Sequence, residues 1–230
     1  MAVHVFPVES LSKDHNHLSM KDAYSRVQEY LAIRNQLGKT TNEYMHCADL
    51  AALKNAIPKF VEWAKQLPQD DPKLLWMRLH GGAPRNKAHA GTRGVSSEDQ
   101  FFDWYEVFSA VHGKFPRNVV VMDVCWGASP SAPARMTGKT GNPTFLFGSV
   151  RSACPFEFDS AIGLLVGALA RGVVPSVTDA KSVVRALNTA FPPDSNNSKP
   201  FFRVYWWTKR NAPLNCYPKL QGTKLTRVSQ

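Results

Sequence analysis

A chain of 230 residues with 43% hydrophobic content can bury one substantial core, and its 25 Phe, Tyr and Trp beside only 20% charged residues exclude a disordered chain. The formal charge of +10 is uneven: residues 160–230 hold ten Lys and Arg against only Asp179 and Asp194, whereas residues 1–159 are nearly balanced. No apolar run approaches the roughly 20 residues of a membrane span. The first eight residues, Met-Ala-Val-His-Val-Phe-Pro-Val, lack the basic and apolar regions of a signal peptide. Cys47, Cys125, Cys154 and Cys216 lie far apart with no CxxC, which excludes a disulfide scaffold and a zinc ribbon. The expectation is a soluble, cytoplasmic protein with no metal and no cofactor.

In chain order, residues 2–8 read as a short strand, and residues 20–37 as a helix ended by Gly38. A second short strand fits residues 43–47. Asp49 is placed to cap a helix over residues 50–67. Residues 73–79, Lys-Leu-Leu-Trp-Met-Arg-Leu, form a mostly apolar run suited to a strand buried on both faces, and it ends at His80-Gly81-Gly82. Residues 82–95 read as a loop, and Ser97 as the cap of a helix carrying Phe102, Tyr105, Val107, Phe108 and Val111. Residues 118–124 are the second strongly apolar strand, ending at Cys125, with a loop over residues 127–142. A short strand at 144–148, helices around 158–169 and 177–190, and a strand at 201–207 complete the list. This alternation predicts an α/β fold with a mostly parallel sheet of about six strands and helices on both faces. Residues 1–207 would form one domain and residues 208–230 a basic C-terminal extension.

Two buried strands therefore each end in a reactive residue, His80 and Cys125. Sites of open parallel sheets form outside the carboxyl ends of the strands, so neighbouring strands would place both side chains on one edge. A thiol beside an imidazole is an activated nucleophile, because the thiolate is the attacking form. Gly81 and Gly82 would let the backbone approach a substrate and offer an N–H to an oxyanion. None of the seven histidines follows Cys125, which excludes the α/β-hydrolase and papain-like orders if Cys125 is the nucleophile. A histidine 45 residues upstream of the cysteine is the caspase order. The bland alternatives are a small buried thiol at Cys125 and structural histidines. His89 and His112 are fallback bases, and Cys154 could line the same site.

On these residues the chain resembles the caspase-like cysteine peptidases, the group of caspases, metacaspases and CHAT-type proteins. The resemblance rests on an apolar strand into His80-Gly81 and another into Asp123-Val124-Cys125-Trp126-Gly127. It extends more weakly to residues 145–148 and 201–207. Many relatives read His-Gly-His-Gly and Cys-His-Ser-Gly at these two places, where this chain reads Leu-His-Gly-Gly and Cys-Trp-Gly. The resemblance implies a caspase-like three-layer sandwich and a cysteine endopeptidase with a His80–Cys125 dyad and Gly81 at the oxyanion. It also implies that Asp123 binds the substrate by lining a pocket for a basic P1 side chain, giving cleavage after Arg or Lys. The structural alternative is that Asp123 holds a nearby loop or backbone N–H. Self-cleavage in the loop after the nucleophile would fall at Arg135 or Lys139. A regulated role in bacterial defence or cell death, with an activating or inhibiting protein partner, is the family's implication for biology.

Two readings from other classes stand beside this one. The first is a basic nucleic-acid-binding protein, in which Phe201, Phe202, Tyr205, Trp206 and Trp207 beside Lys209 and Arg210 would stack bases. The second is an inactive caspase-like scaffold that binds partner proteins. Gly38-Lys39-Thr40 and Gly138-Lys139-Thr140 are decoys for a phosphate loop, because neither has the leading glycine nor lies between a strand and a helix.

Overall fold

The computed structural model describes residues 2–11, 19–38, 44–82, 93–95, 100–108, 118–129, 145–152, 155–171, 176–193, 201–206 and 215–219. Its sheet is organised around the two apolar runs, β3 (Lys73–Gly82) and β6 (Asn118–Asp123). Alternate residues of β3 serve opposite layers. Leu74 and Trp76 join one core, Leu75 and Met77 the other, and all four are fully buried. A strand covered on both sides needs apolar residues at every position, which is why these runs do not alternate.

Around them stand β1 (His4–Ser10), β2 (Met45–His46), β7 (Phe145–Ser149), β8 (Phe202–Trp206) and β9 (Asn215–Tyr217), in the order β2-β1-β3-β6-β7-β8-β9. The first five are mutually parallel, and β8 and β9 run antiparallel to their neighbours. Helices α1 (Lys21–Ile33), α4 (Pro155–Ala170) and α5 (Val177–Ala190) cover one face, and α2 (Leu50–Lys65) with the short α3 (Trp104–Phe108) the other. The expected α/β sandwich with a mostly parallel sheet is therefore the observed architecture.

The differences are local and have physical reasons. The sheet has seven strands on its main path rather than about six. Residues 93–95 and 101–103, expected as loop and helix, form β4 (Arg93–Val95) and β5 (Phe101–Asp103), an antiparallel pair that extends the end of β3. The cap expected at Ser97 lies outside the described residues. Helix α1 stops four residues early because Asn35 takes a left-handed conformation at φ 53°, and the Gln36 N–H closes the last turn onto the Leu31 carbonyl at 2.8 Å. Gly38 instead donates to the Val3 carbonyl at 2.9 Å. Strand β9 lies inside the stretch read as an extension, so the sheet continues past residue 207. The Asp49 cap forms as expected, accepting from the Ala52 N–H at 2.6 Å. Among the described residues no helix is long and apolar enough to cross a membrane.

Candidate active site

The register between β3 and β6 positions the site. The two strands pair in parallel from Lys73–Asn118 to Arg78–Asp123, and two residues beyond that last pair each chain reaches His80 and Cys125. Both line one cleft of about 60 Å³ at the carboxyl edge of the sheet, with Leu11, Pro155 and Phe158 as apolar walls. Gly81 is pressed against the Cys125 backbone. A Cβ built on Gly81 would lie 2.1 Å from the Cys125 carbonyl oxygen and 3.0 Å from the Cys125 Cβ, so only glycine lets the strands come this close.

The turn after Cys125 is fixed from several sides. Trp126 sits at φ 58°, a left-handed conformation that a bulky residue rarely adopts. Its N–H bonds the Arg151 carbonyl at 3.1 Å, and the Ala128 N–H bonds the Ser149 carbonyl at 2.8 Å. The Tyr205 hydroxyl of β8 donates to the Ala128 carbonyl at 2.8 Å. These bonds tie the segment carrying the thiol to the ends of β7 and β8, and they hold Trp126 in its strained geometry. Cys125 Sγ is 3.6 Å from Ser152 Oγ.

Asp123 lies in the same cleft, but its carboxylate is engaged from within the chain. Its Oδ2 accepts from Arg78 Nε at 2.7 Å and from the Trp76 indole N–H at 2.8 Å. Arg78 also reaches Asp159 of α4, and Asp159 in turn meets Arg26 of α1 at 3.3 Å. Arg78 and Asp123 are 3% and 4% exposed. Burial works against the Arg78 charge, yet the two carboxylates outweigh it and hold the guanidinium above its usual pKa. Burial pushes the Asp123 carboxyl up to about 6, opposed by Arg78 and by the Trp76 N–H. The expected substrate acid is thus a buried, internally paired residue. Of the expected site residues, the fold brings together His80, Gly81, Cys125 and Asp123. Arg135, Lys139, His89, His112 and Cys154 lie outside the described residues.

Arg78 is the residue that the sequence reading missed. A signal was present, since a cation two residues before the histidine mirrors an acid two residues before the cysteine. On paired strands the two fall side by side.

No protein-family model and no curated protein matches the chain. Among solved structures, a secreted C11 cysteine protease from Bacteroides thetaiotaomicron, determined with an irreversible peptide inhibitor, is similar over 90% of this chain at 15% identity and a TM-score of 0.52. This chain shares that fold. The match spans 66% of the protease's own length, so the likeness concerns a caspase-like architecture and not a whole enzyme.

The thiols of this caspase-like fold differ in what they can do. Cys47 is fully buried, and burial pushes its thiol up to about 12 against the pull of Lys59. Cys125 is half-exposed at the cleft. Brief iodoacetamide treatment of the folded chain at neutral pH is expected to alkylate Cys125 and leave Cys47 unmodified, as read by peptide mapping. Alkylation of Cys47 at a comparable rate would contradict its enclosure.

Proposed function

We propose that the chain is a cysteine endopeptidase acting on protein or peptide substrates through His80 and Cys125. In this reading the Cys125 thiolate attacks the scissile carbonyl carbon. The carbonyl π electrons move onto oxygen, where the N–H groups of Gly81 and Cys125 receive the developing charge. His80 protonates the leaving amine as the C–N bond breaks. It then takes a proton from the water that hydrolyses the thioester and returns the thiol. The observation that carries the reading is the arrival of His80 and Cys125 at the same sheet edge, two residues past a shared register pair, with Gly81 seated on the nucleophile's backbone.

The family resemblance extends this to cleavage after Arg or Lys, with Asp123 as acceptor of the basic side chain. That extension requires an open Asp123, whereas Arg78 already holds its carboxylate. Self-processing at Arg135 or Lys139 needs that same open Asp123, whereas control by a protein partner and a bacterial defence or cell-death setting rest on the resemblance alone. Of the five aromatics in the nucleic-acid reading, Phe201, Phe202 and Tyr205 are at most 1% exposed and unavailable for stacking, Trp206 is partly buried, and Trp207, Lys209 and Arg210 lie outside the described residues.

A fluorogenic peptide library varied at P1, incubated with the whole chain, tests the peptidase reading. Turnover is expected to stop when a peptidyl chloromethyl ketone is added, with the adduct mapped to Cys125. Turnover that survives complete modification of Cys125 would remove the proposal.

A further inference from the structure

We infer that Arg78 is a specificity-determining residue that occupies Asp123 from within, so that the cleft selects uncharged P1 side chains over Arg and Lys. The inference rests on reading the cleft as a peptidase site. Arg78 and Asp123 are register partners on adjacent strands, and the 2.7 Å contact joins the arginine Nε to the carboxylate. The other end of the guanidinium reaches Asp159, and its carbon lies 5.6 Å from the Trp76 ring centroid. Carboxylates on two sides and an aromatic ring are the surroundings that a substrate arginine would need.

Here the cation that fills them belongs to the same chain. A tethered group competes at a far higher effective concentration than a substrate side chain. To enter, a P1 arginine would have to expel a guanidinium that is 3% exposed, and that step leaves the buried Asp123 carboxylate without a cation while the exchange proceeds. The remaining space is small, about 60 Å³, and its walls include Leu11, Pro155 and Phe158. Apolar walls beside a neutralised floor suit a small uncharged side chain.

The test compares wild type, Arg78→Ala and Arg78→Ala/Asp123→Asn on peptides that differ only in Arg, Lys, Ala or Leu at P1. Wild type is expected to favour an uncharged P1. Arg78→Ala should raise kcat/KM for Arg and Lys peptides at least about tenfold, chiefly through KM, and Asp123→Asn should cancel that gain. A wild-type preference for Arg or Lys would overturn the inference, as would an Arg78→Ala enzyme whose P1 ranking is unchanged.

A second measurement does not depend on turnover. Made in a Cys125→Ala background, Arg78→Ala should be stabilised by ethylguanidine, seen as a raised Tm or as recovered folding if the variant alone does not fold. Wild type and the Asp123→Asn double variant should not respond. No response in Arg78→Ala would show that the vacated place does not accept a guanidinium, and would overturn the inference. An ethylguanidine response with no hydrolysis by any variant, and no chloromethyl ketone adduct on Cys125, would instead remove the peptidase reading and, with it, the specificity role.

Discussion

Cys125→Ala is expected to abolish peptide hydrolysis, with a loss in kcat on the order of 10⁴-fold or more. The methyl group has no sulfur with which to form the thioester. His80→Ala should cost about 10²–10⁴-fold, because the leaving amine then departs without an aligned proton donor. The decisive comparison is the double variant. Two groups that act in one step do not contribute additively, so Cys125→Ala/His80→Ala should be no slower than Cys125→Ala alone. Steady-state kinetics on the best library peptide, with circular dichroism to verify folding, measures all three. A His80→Ala enzyme within a few-fold of wild type would dismiss the imidazole as acid and base. A double variant far slower than the cysteine variant would mean that the residual rate had used His80 with a different nucleophile.

The second large effect is expected from one methyl group. Gly81→Ala would place a Cβ 2.1 Å from the Cys125 carbonyl oxygen and 2.9 Å from its carbonyl carbon. These are backbone atoms of a turn held by several hydrogen bonds, so no side-chain rotation relieves the clash. Either the end of β3 withdraws or the turn after β6 moves. Overpacking of this kind costs about 1–3 kcal/mol, a drop in Tm of several degrees for a chain of this size. The loss of activity should be larger than the loss of stability suggests. A displacement of about 1 Å between reacting groups costs on the order of 10²-fold. Gly163→Ala supplies the control. A Cβ there meets nothing within 4 Å, and alanine in a helix interior is favoured over glycine by about 0.5–1 kcal/mol, so that variant should be active and slightly more stable. Wild-type kinetics in Gly81→Ala would show that the strand ends are not held together as described.

Much of this architecture could be read from residues because burial on both faces leaves a plain mark. The runs Leu74-Leu75-Trp76-Met77 and Val119-Val120-Val121-Met122 have no polar position, and their parallel pairing carries His80 and Cys125 to one edge. The parts that escaped are those whose stability comes from distant contacts. Strands β4 and β5 have three residues each, include a glycine and an aspartate, and exist because the end of β3 offers a partner. Strand β9 is likewise short and is fixed by β8. At the site, the expectation that Asp123 faces a ligand comes from the family resemblance and from its place two residues before Cys125 on the same strand. Its cation was hidden inside the neighbouring run, where Arg78 looks like an interruption of a hydrophobic segment. Only the register of the two strands converts two isolated charges into a pair.

The edges of the sheet carry a consequence for assembly. On the described residues it ends in β2 on one side and β9 on the other, strands of two and three residues, and β9 is followed at once by Pro218, which has no N–H to donate. An edge so short offers few backbone groups to a second chain. Growth of the sheet by strand addition is therefore disfavoured at these edges. A filament or side-by-side dimer built on main-chain pairing finds little template in these two strands, whereas α4 presents Phe156 and Leu164 exposed on a helical face.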